Sequence, residues 1–155
     1  VLHATAAKVQ QRLRDHGLEV EVRELADSTR TVADAAAAVG VQHGQIVKSL
    51  VFASPTGSTA LVLCAGDRRV DTSVLGDGWR TATPDEVRAA TGFSIGGVPP
   101  LGHDHPLRTI VDASLRRFDS VWCAAGTPNA VFPVATADLL AAIPDADVRT
   151  VAADE

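Results

Sequence analysis

A lysine stands near the centre of an otherwise apolar run, GQIVKSLVFAS, at residues 44–54. Strand alternation puts Ile46, Lys48, Leu50 and Phe52 on one face and Val47, Ser49, Val51 and Ala53 on the other, so the ammonium shares its face with three apolar side chains. Two readings compete. A strand lysine can guard an exposed edge, its stem covering apolar surface while its head stays in water. Alternatively, Lys48 points into a partly apolar pocket and meets an anionic or strongly polarised substrate as a point charge.

Other segments carry chemistry-capable residues. In TGFSIGGVPPLGH (91–103), Gly96 and Gly97 let the main chain approach a ligand closely, and Pro99 and Pro100 fix the exit; the same features also suit a plain tight connection. In AAGTPNAVF (124–132), Gly126 permits a turn while Thr127 and Asn129 offer hydrogen-bonding groups. GHDHP (102–106) holds His103 and His105, too few ligands for a metal without others. GDRRVD (66–71) sets two arginines between acids, able to contact phosphate or to form surface ion pairs. Cys64 and Cys123 sit in apolar contexts with no basic or helix-start neighbourhood to form a thiolate, and two cysteines make neither a disulfide framework nor a four-ligand zinc site. There is no nucleophile elbow, Walker loop or dinucleotide fingerprint, and no cofactor is called for.

The elements that must position these residues follow from periodicity and punctuation. A helix is predicted from about His3 to His16, stopped at Gly17, then a strand over LEVEVREL (18–25). Thr31 reads as the N-cap of a short alanine-rich helix ending at Gly40, with Asp34 in the reciprocal capping position. The lysine strand and TALVLCAG (59–66) are spaced as a hairpin about the turn at 55–58. Residues 66–78 read as charged turns with room for one helical turn. TPDEVRAATG (83–92) has Thr83 as cap, Pro84 at the first helical position and Gly92 as stop. LRTIVDASL and DSVWCAAG read as strands, VFPVATADLLAAI joins a strand to a helix capped by Thr136, and the tail after Asp147 adds a short edge strand. Hairpin-like strands interleaved with short helices, without a regular βαβ period, predict an α+β domain with a mixed sheet or small barrel.

With 155 residues and 46% hydrophobic content the chain suits one domain over 1–155, with no break in composition. A net charge of −5, from 14 basic and 19 acidic residues, excludes a broadly polyanion-binding surface, so any nucleic-acid contact is local. No stretch approaches the ~20 apolar residues of a membrane span, and residues 1–16 read as an amphipathic helix rather than a signal peptide, so a cytoplasmic chain without membrane or DNA partners is expected.

Taken together, QIVKSLVF (45–52), LVLCAGDRRVD (61–71), TGFSIGGVPPLG (91–102), TIVDASL (109–115) and AAGTPNAVF (124–132) resemble the YbaK/ProX family of aminoacyl-tRNA deacylases, which includes the editing insertion domain of bacterial prolyl-tRNA synthetases. The resemblance runs from the first helix to ATADLLAAI. It implies a mixed, mostly antiparallel, barrel-like sheet flanked by short helices. It also implies hydrolysis of the ester joining a wrong amino acid to the 3′-terminal adenosine of tRNA. By motif position the family's essential lysine falls on Lys48, and its GxxxP loop on Gly96, Gly97, Val98, Pro99 and Pro100. Ala124, Ala125, Gly126, Thr127 and Asn129 would line the same pocket, shaped by Ile46 and Leu50, with Thr31 and His103 completing the substrate-binding set.

The resemblance further implies a mischarged aminoacyl-tRNA, held by its acceptor end, as the partner. With no obvious anticodon-binding module in a chain this small, tRNA identity is expected from the acceptor stem or from a synthetase partner. An aminoacyl ester is already activated, so the site must hold the carbonyl, bring up water and exclude wrong side chains. Charge placement by Lys48 is favoured over general-base work, which would need a lysine to shed its proton near neutrality. Cysteinyl-specific members tend to have Ser-Gly-Gly where this chain has Ala124-Ala125-Gly126, which removes a hydroxyl and weakens the case for cysteine within the implied class, a small amino acid such as alanine, serine, threonine or cysteine on tRNA(Pro) or a related tRNA. The rival readings are a non-catalytic module of the same fold that binds tRNA or a nucleotide, and a metal-dependent hydrolase using His103 and His105.

Overall fold

The computed structural model describes residues 1–26, 29 and 31–155. Helix α1 (Ala4–Asp15) buries Ala6, Val9 and Leu13, three- and four-residue steps that line one helical stripe, and His3 and His16 cap it. The segment after it keeps the expected alternation, with Leu18, Val20 and Val22 buried, yet only Arg23–Glu24 pairs as strand β1. The backbone of Val22 donates instead to the Gln10 side chain at 2.8 Å. Alternation reported which side faces the core; it did not report a ladder partner.

Helix α2 (Val32–Val39) starts as predicted, the Thr31 hydroxyl accepting from the Asp34 N–H at 3.0 Å, and stops at left-handed Gly40. Residues 43–45 form a single 3-10 turn, so the lysine strand β2 begins at Val47, not at Gly44, and runs to Ala53. Gly44 cannot carry a side chain there, because a Cβ would meet the Phe118 ring at 2.8 Å. Strand β3 (Thr59–Ala65) pairs with β2 along its whole length, the hairpin that the spacing predicts.

Short elements follow: β4 (Arg68–Val70), a 3-10 turn at Thr72–Val74, β5 (Arg80–Thr81) and α3 (Pro84–Thr91). Helix α3 has the full predicted punctuation, with Thr83 and Glu86 closing a reciprocal capping box, Pro84 in the first turn and Gly92 left-handed. Then come β6 (Thr109–Asp112), a 3-10 turn at Ala113–Arg117, β7 (Ser120–Ala124), β8 (Ala130–Ala135), α4 (Thr136–Ala142), β9 (Asp147–Arg149) and β10 (Ala152–Asp154). Thr136 is not the cap of α4. It is the first helical residue, and its hydroxyl donates to the Phe118 carbonyl at 2.6 Å.

The architecture is α+β, with strands in the orders β5-β2-β3-β6-β9, β1-β8-β7 and β10-β4. Pairing is antiparallel except for β3–β6 and β6–β9. One face of the five-stranded sheet, through Val47, Val51, Leu61, Leu63 and Val111, packs on α1 and on Val121, Cys123 and Phe132 of the three-stranded sheet. The other face, through Phe52, Val62, Cys64 and Ile110, forms a smaller cluster closed by Val151. Asp112, 1% exposed, ties the tail down: one carboxylate oxygen accepts from the Val151 and Ala152 N–H groups at 2.8 and 2.9 Å, and the other accepts from Ser114. Among the described residues no helix is long and apolar enough to cross a membrane.

The α3 start carries a pH dependence. Hydrogen bonds from the Arg80 guanidinium, and then from the Thr83 N–H, hold the Glu86 carboxyl down at about 2 against an ordinary 4.5. A depressed carboxyl stabilises the fold fully above the unfolded value and loses that contribution as pH falls toward the folded one. Thermal melts at pH 7 and pH 2.5 should therefore show a drop that is smaller in Glu86→Gln than in the native chain; equal drops would show that the capping carboxylate carries none of it.

Candidate functional site

Strand β5 pairs only with Phe52 and Ala53 of β2, and β7 meets this strand's approach only through the Ile46–Trp122 bridge. Between them the outer edge of β2 is open. Ala82 N–H donates to the Val51 carbonyl at 3.0 Å, which places the main-chain groups of Val51 on that edge. Groups two residues apart point the same way, so the N–H and C=O of Ser49 face the gap. A cavity of about 270 Å³ fills it. Residues 46–50 form one wall, and Trp122, Cys123 and Ala124 of β7 face them. Leu25, Thr31, Val32 and Ala35 cover a further side, and Ile95, Gly96 and Val98 supply the glycine-loop wall. The lining is mainly apolar.

Lys48 lines this cavity from the face of the smaller cluster, opposite Cys64 in the β2–β3 ladder. Its half-buried side chain carries Nζ toward the β4–β10 pair, where it donates to the Arg68 carbonyl and to Glu155 Oε2 at 3.3 Å. Both partners are acceptors, one of them a carboxylate, and an ammonium has a third donor left. Asp154, next to Glu155, is held by Arg68 at 2.7 Å, so the tail presenting the carboxylate is fixed from both sides.

The two glycine loops lock to each other. Gly126 N–H donates to the Gly97 carbonyl at 2.8 Å, and a Cβ on Gly97 would sit 2.7 Å from the Gly126 oxygen. Gly126 itself has φ +100° and packs on Val9 of α1. Of the residues expected at the site, Thr31, Ile46, Lys48, Leu50, Gly96, Val98 and Ala124 lie together on the cavity. Gly97, Pro99, Pro100, Ala125 and Gly126 lie behind it, buried. Asn129 also stands behind, its carbonyl accepting from the Leu25 N–H at 2.8 Å and its side-chain amide donating to the Leu25 carbonyl at 2.9 Å, while Thr127 donates to Asn129. These groups brace the cavity wall.

His103 is not on the cavity. Its Nε2–H donates to the Pro99 carbonyl at 2.7 Å, and burial pushes the imidazole below its usual value. It therefore braces the proline exit of the loop from behind, above a separate cleft that also holds His105. Among the described residues no three His, Cys, Asp or Glu side chains gather as a metal site. Burial pushes the Cys64 thiol up to about 11 and the Cys123 thiol higher still, so neither offers a thiolate near neutrality. In GDRRVD, Asp67 is paired by both guanidinium nitrogens of Arg117 at 3.0 and 2.7 Å and Arg68 by Asp154, the ion-pair alternative of the two readings.

Sequence reading missed Ser49, Trp122, Leu25 and Val131 as cavity residues. Trp122 carried a signal, a large aromatic just before the small-residue turn, and Arg23 stacks on its ring at 5.1 Å. Ser49 carried one too, as the polar residue on the core-facing side of its strand.

Residues 26–142 match the family model described as an aminoacyl-tRNA editing domain. The uncharacterized protein YwhH of Bacillus subtilis (strain 168) is 35% identical over 125 residues, 78% of this chain and 80% of that protein. The proline–tRNA ligase of Pelobacter propionicus is 30% identical over 92 residues, 56% of this chain but only 16% of the ligase. A crystal structure of a candidate trans-editing enzyme for prolyl tRNA synthetase superposes with a TM-score of 0.90 at 44% identity, covering 100% of this chain and 99% of that one.

The Gly97–Gly126 contact can be tested directly. Gly97→Ala should lower stability by about 1–3 kcal/mol, as overpacking of a tight contact does, seen as a lower urea midpoint at unchanged slope. An unaltered midpoint would mean that the two loops part without cost.

Proposed function

Because the chain belongs to the aminoacyl-tRNA editing domain family, we propose that it is a hydrolase that frees mischarged tRNA of its amino acid, with the cavity beside Lys48 as the site where the ester is cut. The observation that carries this reading is the meeting of Lys48, the open edge of β2 and the Gly96 wall around one small apolar cavity. Its volume of about 270 Å³ gives room for an aminoacyl group. Alanine, serine, threonine or cysteine on a proline-accepting tRNA or a related one is the substrate class proposed. The likeness to a trans-editing enzyme and to part of a proline–tRNA ligase supports that choice.

The chemistry asks little of side-chain nucleophiles. Water adds to the ester carbonyl, the bond to the ribose oxygen breaks, and that oxygen leaves with a proton. Lys48 contributes positive charge near the phosphate and ester, where charge builds in the transition state. Its two present partners both accept hydrogen bonds, which suits an amine working as a charge rather than as a base. Main-chain groups at Gly96 and along the β2 edge hold the carbonyl and the attacking water. The acidic chain meets the tRNA locally, at the acceptor end, and tRNA identity comes from the acceptor stem or from a synthetase partner.

Incubating the protein with tRNAs charged with alanine, serine, threonine and cysteine tests this directly. Release of amino acid is expected for at least one, and Lys48→Ala should slow it about 100-fold or more with an unchanged circular dichroism spectrum. Native-rate hydrolysis by that variant would remove Lys48 from the mechanism. Binding without release across the panel would make the chain a tRNA-binding relative instead of an enzyme.

A further inference from the structure

Ser49 follows the lysine and has drawn no role so far. It lies on the core-facing side of β2, between Val47 and Val51, which are 5% and 4% exposed. Its Oγ is shut off from solvent and has no hydrogen-bond partner. A buried hydroxyl without a partner is a cost that valine or alanine would avoid at such a position. Ser49 is also a wall residue of the cavity, and among the described cavity residues it alone has a buried side-chain oxygen or nitrogen in this condition. Of the other polar side chains on the cavity, Thr29, Thr31 and Lys48, the Thr31 hydroxyl is engaged as the cap of α2 and the Lys48 ammonium with Arg68 and Glu155.

The main chain of Ser49 sharpens the point. Its N–H and C=O face the same gap, beyond the end of β5. Those two groups would serve any aminoacyl moiety equally, since every one carries an ester carbonyl and an α-ammonium. The side-chain hydroxyl is the part that depends on residue type. Rotation about one Cα–Cβ bond moves Oγ among three staggered positions, so a ligand can draw it out of its unsatisfied one. A ligand hydroxyl can both give and take a hydrogen bond with it inside walls made of Leu25, Val32, Ile46, Trp122 and Val131.

We propose that Ser49 is a specificity-determining residue whose hydroxyl pairs with a hydroxyl on the side chain of the amino acid being removed. The inference rests on the deacylase reading above and narrows its substrate class to small hydroxylated amino acids. An apolar cavity by itself separates near-isosteres poorly, whereas a site with a built-in hydrogen-bonding group rejects the analogue that leaves it unpaired.

The test uses pairs that differ by one hydroxyl, seryl against alanyl and threonyl against 2-aminobutyryl, each esterified to the same tRNA. The native protein should cleave the hydroxylated member of each pair with the higher kcat/KM. Ser49→Ala should lower the hydroxylated-to-plain ratio about 10- to 100-fold, and Ser49→Thr, which keeps the hydroxyl, should retain most of the preference. An active native enzyme whose ratio is below one, or stays within about threefold in Ser49→Ala, would overturn the role of Ser49 and leave the deacylase reading standing. A native protein that cleaves none of the four esters would overturn the specificity, and one that also leaves the cysteinyl ester intact would overturn the deacylase reading with it.

Discussion

The site depends on a strand that stops pairing on one side. A β-strand interior normally satisfies both of its edges, and an unpaired stretch is either covered or put to use. Here β5 reaches only the last two residues of β2, and β7 touches the strand's approach at one bridge. The stretch between, centred on Ser49, turns its main-chain groups toward the cavity. Everything that holds the cavity open acts on its other walls. The paired glycines 97 and 126 set the loop wall, Asn129 fastens Leu25, and the Thr31 cap fixes where α2 begins.

The alternation of β2 then sorts its residues into two jobs. One side joins the larger core and includes Ser49; the other leads to the smaller cluster and includes Lys48. A lysine there is half-buried among apolar side chains, and its stem runs along the sheet to acceptors supplied by β4 and the tail. Lys48 is neither freely solvated nor sealed in hydrocarbon.

Much of the fold was legible because its signals are local. The capping box and glycine stop of α3, the glycine-terminated α2 and the fully paired β2–β3 hairpin each rest on residues within one element. The misreadings share a cause. Residues 18–22 alternate like a strand and are buried like one, but a ladder needs a neighbour that sequence spacing cannot provide, and Gln10 took its place. Thr136 looked like a cap, but the Phe118 carbonyl, 18 residues earlier, was a better use for its hydroxyl. In the site, residue types showed which loops had unusual backbone freedom. They could not show that Gly97 and His103 brace the cavity from behind while Gly96 and Val98 face it, because that depends on which loop packs behind which.

The partner of Lys48 comes from far along the chain. Glu155 follows it by 107 residues, whereas the hairpin that carries the lysine closes between neighbours. At ribosomal speeds of about 5–20 residues per second, roughly 5–20 s separate the two during synthesis. For that interval the hairpin can exist with the Arg68 carbonyl, 20 residues on, as the acceptor for its cation and the carboxylate still to come. The carboxylate acceptor of the lysine thus arrives well after the strand that bears the lysine, and its placement goes with docking of the tail through Asp112.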